Sequence, residues 1–172
     1  DKSPFQFTDP ERASPSNLTH QVTAHRGETV SGKQPCRLSK VDQKDYRLVR
    51  INNGDFDEYI TSYARAIRDY RGPVIIRFAH EMNGNWYPWG STFNTPEEYV
   101  AAWRYVHRLF EKEGATNVTW LWSPNEIYQD TRIPYADQIL NFYPGDAYVD
   151  WIGFSSFNWA GQYKQNRWRE PE

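Results

Sequence analysis

Hydrophobic positions are sparse and without period over the first 45 residues and become regular from residue 46 onward. Residues 1–45 hold ten residues of the set AVILMFWYC, whereas residues 46–172 hold 55 in 127 positions, and all eight Trp lie between Trp86 and Trp168. A segment this poor in apolar surface has little to offset its ordering entropy, so 1–45 reads as loop, tail or disordered chain and 46–172 as the folded part. Phe56, Tyr59, Ile60, Tyr63, Ile67 and Tyr70 recur at helical spacing and predict an amphipathic helix over 56–70 with one buried stripe. Asp57 and Glu58 fall in its first turn, and Gly72-Pro73 stops it. Val74 to Ala79 is a short apolar run suited to a buried strand. A second helix is predicted over 95–113, with Thr95 as N-cap, Pro96 at the first position and Glu98 completing a capping box. Trp103, Val106 and Phe110 form its inner face, and Gly114 ends it. A strand over Asn117–Ser123, a short helix around 134–142 and a strand over Tyr148–Phe157 complete the pattern.

Helix and strand therefore alternate, which argues for parallel strands joined by crossover helices. Strand starts near 74, 118 and 148 are spaced like the units of an eight-fold barrel of ~250 residues. A doubly wound open sheet is the alternative, but the Gly-rich phosphate turn expected of it is absent. The predicted fold class is α/β, part of a (β/α)8 TIM barrel preceded by an unpatterned N-terminal segment.

Composition narrows the function. With 20 Lys+Arg against 22 Asp+Glu the net charge is −2, which leaves no basic footprint for nucleic acid. No apolar run approaches the ~20 residues of a membrane span, so no membrane partner is expected. The N-terminal DKSPFQFTDPER carries no signal-peptide pattern. Cys36 is alone, so neither a disulfide framework nor a Cys-based zinc site is expected. Aromatic residues make up 17% of the chain, and such flat amphipathic side chains build cores and also stack on sugar rings.

Barrel enzymes keep their working residues at the C-terminal ends of strands. Three such ends stand out: His80-Glu81-Met82-Asn83-Gly84, Ser123-Pro124-Asn125-Glu126 and Ser155-Ser156-Phe157-Asn158-Trp159. The first sets an acid after a buried strand and just before Trp86 and Trp89. A carboxyl group against aromatic walls loses hydration, which raises its pKa and suits it to general-acid work. An acid beside sugar-stacking Trp is a glycosidase layout. The plainer reading is a solvated Glu, or one paired with Arg77. His80-Glu81 starts like a zinc motif, but no His follows four residues later, so no metal is expected. By helical phase Trp103 belongs to the core and His107 beside it. The sequon at Asn17 is unremarked by any pattern, and that at Asn117 falls on a buried strand.

The run Arg77-Phe78-Ala79-His80-Glu81-Met82-Asn83-Gly84-Asn85-Trp86-Tyr87-Pro88-Trp89-Gly90 resembles the signature of glycoside hydrolase family 26, which contains endo-β-1,4-mannanases, lichenases and some xylanases. The segments around Asn53–Ile60, Thr95–Arg104, Gly114–Asn125 and Tyr143–Gly153 are similar in order, so the resemblance covers about 41–168. It implies a (β/α)8 barrel, with about strands four to six present here, and retaining hydrolysis by two carboxylates. The acid/base maps onto Glu81, with His80 as its neighbour and Trp86 packing on a sugar ring. Trp89, Trp122 and Trp159 are weaker substrate-binding candidates. The resemblance puts the nucleophile at the end of the seventh strand, at about residue 190 for βα units of ~30 residues and so beyond Glu172. Ser155 and Phe157 stand where the family often has Asp and Tyr. Glu126 and Asp150 are the remaining carboxylates near strand ends, Asp150 at the wrong end. The implied substrate is a β-1,4-linked polysaccharide, mannan or glucomannan, with mixed-linkage β-glucan or a non-catalytic carbohydrate-binding remnant as alternatives. No cofactor is implied, secretion follows by analogy, and oligomeric state is not indicated.

Overall fold

A computed structural model describes residues 43–126, 135 and 138–157, together with the backbone pairing of Phe7–Thr8. Four strands form one sheet in the order β1 (Phe7–Thr8), β2 (Val74–Ile76), β3 (Val118–Trp122) and β4 (Trp151–Ile152). β2 and β3 are parallel, with Val74 opposite Val118 and Ile76 opposite Trp120, and β3 and β4 are parallel, with Leu121 opposite Trp151. β1 runs antiparallel on the other edge of β2, with Phe7 opposite Ile76. It lies in the segment that the hydrophobic pattern leaves unassigned, and two residues are too few to show a period of two.

Among the described residues three helices accompany the sheet: α1 (Leu48–Asn52), α2 (Asp57–Tyr70) and α3 (Pro96–Lys112). α2 buries Ile60, Ala64 and Ile67, the i, i+4, i+7 stripe of an amphipathic helix. Tyr59 and Tyr70, expected in that stripe, are exposed because they sit at its margins, where a ring reaches past the core. α3 begins with the full capping box: the Glu98 amide donates to Thr95 Oγ1 at 3.3 Å, and the Thr95 amide donates to Glu98 Oε2 at 2.8 Å. Its inner face carries Tyr99, Ala102, Trp103, Val106 and Phe110. At its end the Ala115 amide donates to the Phe110 carbonyl at 3.0 Å.

Two expected elements are shorter than their patterns. The helix expected around 134–142 is a 3-10 turn over Ile139–Phe142. The third parallel strand, expected over 148–157, pairs only at Trp151–Ile152 and again where Ser155 meets Asn125. Asp150 accounts for its late start. Its carboxylate accepts the Trp120 amide at 2.7 Å, so a side chain takes the donor that an extended ladder would use. Asp150 is thus bound into the sheet at the N-terminal end of β4, away from the strand ends that face the site.

Among the described residues, most of the aromatic side chains lie in or against the core. Trp120 lies against Trp103 at 5.9 Å and Phe110 at 5.3 Å between ring centroids, and Phe78 meets Trp103 edge-on at 5.9 Å. His107 packs on Trp120 and Tyr148, the structural role its helical phase suggests.

Candidate active site

The backbone leaves β2 at Ile76 and turns sharply above the C-terminal end of the sheet. Ala79 and Glu81 have φ of 42° and 55°, the left-handed region that side chains other than Gly rarely adopt. Each such residue costs about 1–3 kcal/mol and persists only where its surroundings fix it. Here Phe78, Ala79 and Met82 are fully buried, and the Glu81 amide donates to the Ser123 carbonyl at the end of β3, at 2.8 Å. The turn thereby lifts the Glu81 side chain over the strand ends.

The two carboxylate oxygens of Glu81 meet different partners. Trp86 Nε1 donates to Oε2 at 2.7 Å, and Arg77 Nη2 lies 4.0 Å from Oε1. The aromatic wall expected here therefore meets the acid by its N–H edge. Arg77 also donates to Ser155 Oγ at 2.6 Å, linking the end of β2 to the end of β4. Burial holds the Arg77 guanidinium below its ordinary pKa, with Glu81 acting in the opposite sense.

His80 lies behind this pair, only 3% exposed. Its Nε2 is 3.2 Å from the Tyr87 hydroxyl, and its carbonyl accepts Trp89 Nε1 at 2.8 Å. Burial, with the Arg77 charge second, pushes the His80 pKa down to about 3, so the ring is neutral at ordinary pH. Tyr87 stacks on Trp89 with ring centroids 4.6 Å apart. Burial raises the Tyr87 pKa, Glu81 adds to that and Arg77 opposes it.

The loop after Glu81 is held by buried asparagines. Asn94 Nδ2 donates to the carbonyls of Pro88 and Gly90, and Asn94 Oδ1 accepts the Leu48 amide at 2.9 Å, which ties α1 to the loop. Asn83 donates to the Asn125 carbonyl at 3.1 Å and accepts the Asn125 amide at 2.8 Å, fastening the β2 end to the β3 end. A Cβ at Gly90 would fall 2.5 Å from the Gly84 carbonyl oxygen, and one at Gly84 would strike the Trp86 ring at the same distance. Both positions require glycine for the loop to close with Trp86 on Glu81. Among the described residues no group of three His, Cys, Asp or Glu side chains converges in a way that could hold a metal ion.

Residues 13–169 match the model of glycosyl hydrolase family 26. The chain belongs to that family. It is 39% identical over 120 residues to Endoglucanase H of Acetivibrio thermocellus, a match covering 67% of this chain and 13% of that protein. It is 33% identical over 87 residues to a mannan endo-1,4-beta-mannosidase of Bifidobacterium adolescentis, covering 50% of this chain and 8% of that one. Among solved structures, a double mutant of the Cellulomonas fimi endo-beta-1,4-mannanase superposes with a TM-score of 0.52 at 25% identity, over 62% of this chain and 24% of the other. The chain therefore spans a small part of these relatives' lengths, and its structural neighbours place it with TIM-barrel proteins.

Within this family 26 chain, the structure brings Glu81, Trp86, Arg77, His80 and Tyr87 together and separates others from them. Trp89 and Trp122, expected as substrate contacts, are each only 2% exposed. Trp89 is bonded to the His80 carbonyl, and Trp122 packs edge-on against Tyr143 in the core, so neither offers a ring face to a ligand. His80 is likewise behind the surface. Trp159 lies outside the described residues. Glu126 is held through its backbone amide by the Ser155 carbonyl and accepts Ser156 Oγ at 3.0 Å. Phe157 is partly exposed. Tyr87 and Asn83 escaped the reading of the sequence. Tyr87 sits in a run of aromatics with no mark to separate it, and a buried Asn has no pattern at all.

Proposed function

We propose that this chain is the central part of an endo-acting hydrolase of β-1,4-linked polysaccharide, with Glu81 as acid/base. One observation carries the reading: a largely buried carboxylate, raised over the C-terminal strand ends by a strained turn and engaged by Trp86 Nε1 at 2.7 Å. In this assignment β2, β3 and β4 are the fourth, fifth and sixth strands of a (β/α)8 barrel. Glu81 gives its proton to the glycosidic oxygen as the C–O bond breaks, while a second carboxylate attacks the anomeric carbon. Glu81 then takes a proton from water as that water displaces the glycosyl-enzyme bond. We assign the nucleophile to a seventh-strand Glu outside these 172 residues, ~5–5.5 Å from Glu81 as retention requires. Trp86 presents its ring to a bound sugar while its N–H holds Glu81. The proposed site of action is extracellular polysaccharide.

Mannan or glucomannan is the proposed substrate, in keeping with relatives named as mannan endo-1,4-beta-mannosidases. A β-glucan is the second reading, favoured by the 39% identity to a protein named Endoglucanase H. The test is release of reducing ends from mannan, glucomannan and barley β-glucan by the full-length protein, with Glu81→Gln beside it. Loss of an acid/base group lowers the rate by roughly 10²–10⁴-fold. A variant as fast as the parent removes Glu81 from the mechanism.

A further inference from the structure

Tyr87 is a half-buried residue to which no role in the reaction has been given, and its hydroxyl is set by an unusual neighbour. His80 is neutral and carries one ring proton, on either Nε2 or Nδ1. Its Nδ1 is buried without a hydrogen-bond partner. Were the proton there, the protein would bury an orphan N–H, which native structures avoid more strongly than an unfilled acceptor. The geometry therefore assigns the proton to Nε2, from which it is donated to the Tyr87 oxygen across 3.2 Å. A hydroxyl that accepts from His80 keeps its own proton to give elsewhere. Among the described residues that O–H has no other partner. The ring is fixed on two sides, stacked on Trp89 at 4.6 Å and edge-on to His80 at 4.8 Å, so the direction of the O–H bond is its remaining freedom. Glu81 and Arg77 both act on this hydroxyl, which places it within the electrostatic reach of the candidate acid/base.

We propose that the Tyr87 hydroxyl donates a hydrogen bond to a sugar hydroxyl bound beside Glu81, with uncharged His80 as the positioning residue that leaves the phenol proton free. The ligand class is a neutral, hydroxyl-rich saccharide, since the group offered is one uncharged donor. This inference deepens the hydrolase reading and rests on it.

The experiment uses the full-length protein. Binding of a β-1,4-linked manno-oligosaccharide and of a mixed-linkage gluco-oligosaccharide is measured by calorimetry in Glu81→Gln and in Glu81→Gln/Tyr87→Phe. Hydrolysis is measured in the parent, Tyr87→Phe and His80→Gln/Tyr87→Phe. Removing one uncharged hydrogen bond weakens affinity and kcat/KM by roughly three- to tenfold. The melting midpoint of Tyr87→Phe is expected to fall by a few degrees, because the buried His80 N–H loses its acceptor. His80→Gln, in contrast, is expected to add nothing to the loss of kcat/KM once the hydroxyl is gone, an outcome that a purely structural histidine would not give. A second measurement needs no variant: among substrate analogues lacking single hydroxyls, one is expected to lose the same factor with the parent protein. Unchanged affinity and kcat/KM in Tyr87→Phe, or equal use of every deoxy analogue, overturns the proposal. Failure of the hydrolase reading looks different, because the parent itself then neither binds nor cleaves either saccharide, and this inference falls with it.

Discussion

At the scale of single residues, His80 couples the site to the stability of the fold. Its folded pKa of about 3 lies below the ordinary 6.5, so between these values the unfolded chain binds more protons than the folded one. Stability from this residue is complete above about pH 6.5 and is lost as pH falls toward 3. At about 1.4 kcal/mol per pH unit, going from pH 8 to pH 5 removes about 2 kcal/mol. The melting midpoint of the parent is expected to fall more steeply over that range than that of His80→Gln, whose side chain does not titrate. Parallel slopes in the two proteins would show that His80 protonates freely when folded. Trp86 offers a second test at this scale, because the proposed site gives its ring and its N–H separate work. Trp86→Phe keeps a ring and removes the donor to Glu81, so kcat is expected to drop about tenfold or more with KM little changed, whereas Trp86→Ala raises KM as well.

At the scale of elements, the two ends of α3 and the loop before it carry local free energy that can be measured. Thr95→Ala removes the acceptor for the Glu98 amide and is expected to cost about 1 kcal/mol, read as a lower denaturant midpoint with an unchanged m-value. That box was legible in the sequence because capping needs particular atoms at a fixed spacing, and Thr95, Pro96 and Glu98 supply them. The helical stripe of α2 was legible for a similar reason, although periodicity does not say how wide the buried band is, and Tyr59 and Tyr70 fell outside it. α1, at five residues, and β1, at two, are too short for any period to register. The position of Glu81, the acid/base in the proposed reading, was legible as well, since a Glu between a buried strand and a Trp-rich loop falls at a strand end. Its neighbours were less so. Trp86, Trp89 and Trp122 have the same chemistry, and only the packing decides that Trp86 stands over Glu81 while the other two fill the core. Asn83 and Asn94 are invisible for the opposite reason: their value is in backbone groups brought to them by the fold.

At the scale of the whole molecule, the sheet is uneven in what its two edges show. Beside β2 the edge is covered by β1, while β4 ends the sheet among the described residues. Trp151, Ile152 and Phe154 lie there, with Gly153 between the last two, and are 56%, 55% and 61% exposed. Three large apolar side chains at and just after a parallel edge that is unpaired among the described residues make a surface that water solvates poorly and that another strand can extend. The 172-residue polypeptide on its own is therefore expected to associate. Sedimentation velocity over a tenfold concentration range should show its mean mass rising with concentration. Trp151→Lys/Phe154→Lys puts charge on the same edge without touching Glu81, Trp86 or the core, and is expected to return the protein toward monomer. The same pair of substitutions in the full-length protein has a sharper consequence. If the barrel reading holds, this edge is where the next parallel strand pairs, and two buried cations there are expected to lower the melting midpoint by many degrees. A full-length protein indifferent to both lysines would mean that β4 is a true edge, and that the proposed seventh strand does not lie beside it.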